Sequence, residues 1–185
     1  PTEIAEAEME RVVEILTKFG TLELHTASNP EERERLWQIR RLISPSLSRI
    51  ASGKMNEDVV VPIGAQGELL RRVAEISENF GIAIPVYGHA GDGNLHLNSM
   101  YEKGDLKQER AAHDAIVECF KIVVELGGSI SGEHGIGAAK NRYMKLQFND
   151  AELELFFRLK RAFDPDGIFN PYKLFPPDMS MSKAG

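Results

Sequence analysis

Apolar residues recur at helical spacing over several stretches of this chain and bunch into short runs between them. Ile4, Met9, Val12, Val13, Ile15 and Leu16 share one face of a helix over residues 3–18, which stops at Phe19-Gly20. Thr21 to Thr26 suits a strand. In Ser28-Asn29-Pro30-Glu31, Asn29 caps and Pro30 opens a helix through Trp37, Ile39 and Ile43, which Pro45 bends or ends. Glu57 to Pro62 carries Val59-Val60-Val61 and reads as a buried strand, and Leu69 to Phe80 as an amphipathic helix closed by Gly81. Ile82 to Tyr87 and Leu95 to Met100 are two further strands. Leu106 to Leu126 is a long helix ended by Gly127-Gly128, and Asp150 caps a last helix that Pro165 terminates.

Strands separated by helices, with one direct hairpin among them, predict an α+β fold. The expected form is a ferredoxin-like α/β sandwich, a mainly antiparallel sheet with helices on one face, followed by a C-terminal helical segment. With 185 residues and 42% apolar content, one domain over residues 1–175 is the expectation, and the polar, aperiodic residues 176–185 read as a loose tail. The net charge of −6 and the lack of a basic patch argue against a nucleic-acid binder. The single cysteine, Cys119, excludes a disulfide framework, and its place among Ile116, Val117, Phe120 and Val123 makes it a buried helical thiol. No apolar run is long enough for a membrane span and no leader is evident, so a cytoplasmic protein is expected. Pro1 in place of an initiator methionine suggests a processed or truncated chain.

Chemistry concentrates in two glycine-rich stretches, Gly88-His89-Ala90-Gly91-Asp92-Gly93-Asn94-Leu95-His96-Leu97-Asn98 and Gly132-Glu133-His134-Gly135, which hold three of the five histidines. Asp92-Gly93 between apolar residues signals a tight turn joining two strands, with His89 and His96 facing each other across its mouth. Two imidazoles so placed can bind one cation, and Glu133 can add an oxygen ligand while leaving positions open for a substrate. Asp92 reads as a turn former, and His25 and His113 as surface or packing residues.

Three ordered motifs resemble the C-terminal domain of FAD-linked 2-hydroxy acid dehydrogenases, which include glycolate oxidases, D-lactate dehydrogenases and D-2-hydroxyglutarate dehydrogenases. They are Tyr87 to His96, Ser131-Gly132-Glu133-His134-Gly135-Ile136-Gly137, and Phe163-Asp164-Pro165-Asp166-Gly167-Ile168-Phe169-Asn170-Pro171-Tyr172-Lys173. The resemblance implies that His89, His96 and Glu133 hold a divalent ion, zinc or manganese, and that His134 is the active-site base. It also implies that Arg40, Ser44 and Lys54 bind the substrate carboxylate, that Asn98 lies near substrate and flavin, and that Asn170 and Lys173 lie close to the flavin ring. The implied activity is oxidation of a small D-2-hydroxy acid, D-lactate or glycolate in type, to the 2-oxo acid with hydride transfer to FAD.

The chemistry asks for these residue types: an arginine clamps a carboxylate through two parallel hydrogen bonds, and an imidazole accepts a proton at neutral pH. In such enzymes a separate N-terminal domain holds most of the FAD. Neither Gly91-Asp92-Gly93 nor Gly135-Ile136-Gly137 supplies the three-glycine dinucleotide fingerprint, so the chain is expected to be a fragment that is inactive alone. A catalytically silent metal-binding or interaction module and a metallohydrolase remain as alternatives. The electron acceptor and a homodimer are left open.

Overall fold

A computed structural model of the chain describes residues 2–179, so the tail expected over 176–185 lies, from residue 180 on, outside the described residues. The chain divides into two units, Pro1–Leu47 and Ser48–Gly185.

The first unit holds two helices, α1 (Thr2–Lys18) and α2 (Pro30–Ser46). Asn29 caps α2 as its sequence predicts, accepting the Glu32 N–H at 2.9 Å, and the Glu32 carboxylate reaches back to the Ser28 backbone and hydroxyl. Pro45 falls in the last turn of α2 and the helix ends one residue later. The strand expected over Thr21–Thr26 does not form. A strand needs a partner ladder for its N–H and C=O groups, and among the described residues this segment has none.

In the second unit the order is β1 (Gly53–Val60), α3 (Gln66–Phe80), β2 (Val86–His89), β3 (Asn94–Tyr101), α4 (Leu106–Glu125), a short α5 (Met144–Gln147) and α6 (Asp150–Phe163). The strands form an antiparallel sheet of order β1-β3-β2. A single antiparallel bridge, Val60↔Ser129, follows α4 at the outer side of β1. This is the β-α-β-β-α path of a ferredoxin-like plait, with one bridge where a fourth strand would lie.

Period-two alternation gives the sheet two different faces. Val59, Leu95 and Leu97 point to one side and join Leu69, Val73 and Ile76 of α3 and Ala112, Ala115, Ile116, Cys119, Phe120 and Val123 of α4 in the core. On the other side, register pairs Asp58 with His96 and Asn56 with Asn98 across β1 and β3, and Tyr87 with His96 across β2 and β3.

Several boundaries differ from the sequence reading. β1 begins four residues before Glu57, because Lys54, Met55 and Asn56 find partners on β3 that the sequence pattern does not announce. β2 occupies Val86–His89 rather than Ile82–Tyr87. Asn149, not Asp150, caps α6, in a capping box with Glu152. α4 ends one residue short of Leu126, and α3 closes on Gly81 in the left-handed conformation.

Candidate metal centre

The hairpin between β2 and β3 sets the geometry. Its connection is the four residues Ala90 to Gly93, not a two-residue turn, and Asp92 Oδ1 accepts the Asn94 N–H at 3.0 Å as a turn former should. Gly93 is required twice over: its φ is +80°, and a Cβ there would lie 2.1 Å from the Val61 carbonyl oxygen. With four residues in the loop, His89 pairs with Asn94 and Tyr87 with His96, so the two histidines meet diagonally rather than directly across. Their ring centroids are still 6.0 Å apart.

Glu133 arrives on the segment after α4. Its Oε1 lies 3.4 Å from His96 Nε2, and one ligand atom from each of His89, His96 and Glu133 falls within 4.8 Å of the others. Donors bound tetrahedrally to one ion at about 2.1 Å sit about 3.4 Å apart, so closure on a cation asks separations of up to 4.8 Å to shorten by as much as about 1.4 Å. The donor set of two imidazoles and a carboxylate therefore fits a divalent ion. His96 is buried, His89 half-buried and Glu133 exposed, which leaves the cluster open on one side. His96 Nδ1 and Asn94 Oδ1 are buried beside it with no hydrogen-bond partner. Burial pushes the His96 imidazole below its usual value, a shift that the Glu133 carboxylate opposes without reversing, so the ring is uncharged at neutral pH, as a ligand must be.

His134 stands next to this cluster, its ring centroid 5.5 Å from that of His96 and its Nε2 3.8 Å from Glu133 Oε1. In an extended segment the side chains of Glu133 and His134 would diverge; here the backbone turns around a buried carboxylate and brings them together. That carboxylate is Asp58, fully buried on β1. Its Oδ2 accepts the N–H groups of Gly132 at 2.7 Å, Glu133 at 2.5 Å and His134 at 3.0 Å. Its Oδ1 accepts from Lys140 Nζ at 2.7 Å, and Lys140, also buried, donates further to the carbonyls of Asp58 and Ile130 at 2.7 and 2.8 Å. Burial pushes the Asp58 carboxyl up, but the Lys140 ammonium and the backbone N–H groups of His134 and Glu133 outweigh it and hold the carboxyl well below the usual range.

The other expected residues are distributed as follows. Asn98 is fully buried, donates to the Pro85 and His96 carbonyls at 3.2 and 3.1 Å, and accepts from Asn56 Nδ2 at 2.6 Å. Lys54 is exposed on β1, on the same face as Asp58 but four residues along, about 13 Å at strand rise. Arg40 and Ser44 lie on α2 in the first unit. Asn170 and Lys173 are exposed, their side chains 3.5 Å apart, and Asn170 has φ +47°. Their segment is anchored near the centre, since the Leu174 N–H donates to the Gly137 carbonyl at 2.9 Å and Asn141 Nδ2 to the Tyr172 carbonyl at 3.2 Å. Asp164 folds that segment, accepting the Ile168 and Phe169 N–H groups at 2.9 and 3.0 Å beside Lys160. Cys119 is buried in the core and its thiol is pushed up to about 12 by burial. His113 packs as expected, its Nε2 2.8 Å from the Tyr143 hydroxyl, and His25 is an exposed partner of Glu23.

Sequence reasoning passed over Asp58, Lys140, Asn56 and Tyr87. A signal for the first two was present: two acids, Glu57-Asp58, at the head of Val59-Val60-Val61, and a lysine after Gly-Ile-Gly-Ala-Ala, are charges that apolar surroundings force to pair.

A plait carrying two histidines, a glutamate and a neighbouring histidine on its polar face presents a candidate metal-binding cluster. The chain belongs to the family of FAD linked oxidases, C-terminal domain, whose sequence model matches residues 1–174. It is 36% identical over 167 residues to the glycolate oxidase subunit GlcD of Escherichia coli (strain K12), covering 90% of this chain and 34% of that protein. It is 33% identical over 178 residues to GlcD of Bacillus subtilis (strain 168), covering 96% and 38%. With the D-lactate dehydrogenase of Archaeoglobus fulgidus it shares 34% identity over 167 residues, covering 90% and 36%. The chain thus spans about a third of the length of these relatives. Among the described residues, no helix is long and apolar enough to cross a membrane.

Proposed function

We propose that this chain is the substrate- and metal-binding part, residues 1–175, of an FAD-dependent dehydrogenase or oxidase that converts a small D-2-hydroxy acid to its 2-oxo acid. The observation that carries the reading is the convergence of His89, His96 and Glu133 beside His134. D-lactate and glycolate are the favoured substrates, since relatives bearing those names match 90% of this chain at 34–36% identity, whereas a D-2-hydroxyglutarate dehydrogenase at 35% identity matches 80% of it.

When bound, the flavin supplies a hydride acceptor and the divalent ion, zinc or manganese, supplies acidification of the substrate hydroxyl. His89, His96 and Glu133 hold the ion, and the exposed side of the cluster admits the hydroxy acid. His134 takes the hydroxyl proton, a role suited to an imidazole near neutral pH and worth roughly a hundred- to ten-thousand-fold in rate. The substrate carboxylate is assigned, on the family resemblance, to Arg40, Ser44 and Lys54, where a guanidinium can form two parallel hydrogen bonds. The buried amide of Asn98 holds the strands and Asn56 in register and so shapes the wall of the site. Asn170 and Lys173 are assigned to the flavin side, on a loop that Asp164 and Gly137 fix.

FAD itself is held mainly outside this chain. Gly91-Asp92-Gly93 lies in a strand-to-strand hairpin, whereas a phosphate-cradling loop runs from a strand into a helix N-terminus. The purified chain should therefore show no stoichiometric flavin band.

The test is turnover of the full-length parent with glycolate, D-lactate and D-2-hydroxyglutarate and a dye acceptor. Chelation and His89→Ala should each lower turnover roughly a hundredfold or more. Full activity under both conditions refutes the metal-assisted reading.

A further inference from the structure

We infer that Asp58 is a positioning residue: one buried carboxylate, balanced by Lys140, sets both the posture of Glu133 and the ring tautomer of His134. This deepens the reading above and rests on it for the roles of Glu133 and His134.

Three successive backbone N–H groups converge on Asp58 Oδ2, at 2.7, 2.5 and 3.0 Å. Such a run of amides wraps an anion and leaves its backbone little freedom. The segment after α4 is therefore held against Asp58 of β1 with Glu133 and His134 aimed in fixed directions, Glu133 Oε1 ending 3.4 Å from His96 Nε2. Asp58 is wholly buried while Glu133 and His134 are about half exposed, so the rigid end of the arrangement is the carboxylate and the working end faces outward.

The second oxygen acts on the ring. Asp58 Oδ1 lies 3.3 Å from His134 Nδ1. A neutral imidazole carries one N–H. With the hydrogen on Nδ1, that contact sets a donor against a carboxylate; with the hydrogen on Nε2, it sets one lone pair against another. The first arrangement is favoured, and it leaves the Nε2 lone pair as the proton acceptor, on the Glu133 side of the ring. Lys140 makes the device tolerable in the interior, because an unbalanced carboxylate there would be expelled or protonated. A purely structural Asp58–Lys140 pair would explain the lysine bonds alone and leave the three amides and the His134 contact as coincidences.

The assay is a two-bond ¹H–¹⁵N correlation spectrum of the ¹⁵N-histidine-labelled chain without added metal, at about pH 8, where an ordinary imidazole is neutral. His134 in the unmodified chain should carry its hydrogen on Nδ1. In Asp58→Asn/Lys140→Met, which removes both of these charges and keeps both shapes, the carboxamide can still accept from the three amides but turns an NH₂ toward the ring, a posture that the Lys140 ammonium would oppose in Asp58→Asn alone. His134 should then shift to the Nε2–H form. The double variant should also bind Zn²⁺ about 10- to 100-fold more weakly, while His134→Ala stays within about threefold of the unmodified chain. An Nε2–H tautomer in the unmodified chain, or an unshifted tautomer in the folded double variant, overturns the inference. The spectrum of the unmodified chain decides the point even if the double variant fails to fold. Absence of Zn²⁺ binding with the tautomer shift intact would remove the metal reading and leave the hold of Asp58 on His134 standing.

Discussion

Lys140→Met should be among the most damaging single changes in the second unit. The methionine keeps the length of the apolar stem and opens no large cavity, so the perturbation is electrostatic. It deletes three hydrogen bonds, to Asp58 Oδ1 and to the Asp58 and Ile130 carbonyls, removes the cation 3.4 Å from Glu57 Oε2, and strands a fully buried carboxylate. Removing one partner of a buried ion pair costs about 3–5 kcal/mol. Asp58 retains three backbone donors, which puts the loss at the low end, about 3 kcal/mol, out of a total stability on the order of 5–15 kcal/mol. Adding Asp58→Asn should recover about half of that loss, because the pair rather than either charge is what the interior tolerates. The probe must report the right unit: Trp37 lies in the first, whereas Cys119 is buried in the core of the second. Pulsed thiol labelling of Cys119 across a urea series measures the stability directly. A loss under about 1 kcal/mol, or a double variant equal to the sum of the singles, would refute the reasoning.

Cys119 should be inert to alkylation in the folded chain near pH 8 and react fully once unfolded, since its thiol is buried and pushed up to about 12; rapid native labelling would contradict the packing described. Gly93→Ala should destabilise by about 2 kcal/mol or more, measured by thermal melting, because the added carbon meets the Val61 carbonyl and the positive φ resists a side chain; a neutral effect would mean the hairpin can relax away from β1. The fold holds the His96 imidazole below its ordinary value of 6.5, so the unfolded chain binds that proton more readily. Stability should therefore fall as pH drops below about 6.5, and His96→Gln should flatten the change in melting temperature between pH 7 and 5; an unchanged slope would show that the burial of His96 carries no such linkage.

Local physics made much of the fold readable along the chain. The helices over 3–18, 69–80 and 106–126, the Asn29 cap and the Gly81 stop are written in residues that act within a few positions of themselves, and each appears in place to within a few residues. The Asp92-Gly93 signal and the glycine-flanked histidines likewise marked the hairpin and the candidate ligands. Local pattern misled where pairing decides: Thr21–Thr26 looks like a strand and has no ladder to join among the described residues, while Lys54, Met55 and Asn56, which show no alternating apolar pattern, become strand because β3 lies beside them.

Residue types and spacing alone thus marked the candidate ligands His89, His96 and Glu133 and determined that helices would cover one side of an antiparallel sheet. Their meeting was decided in three dimensions. Register set Tyr87, not His89, opposite His96; a carboxylate 75 positions earlier in the chain folded the Glu133 segment; and a lysine 82 positions later in the chain from that carboxylate made its charge bearable. Such contacts depend on burial and on hydrogen bonds between distant segments, energies that exist only once the chain has closed on itself.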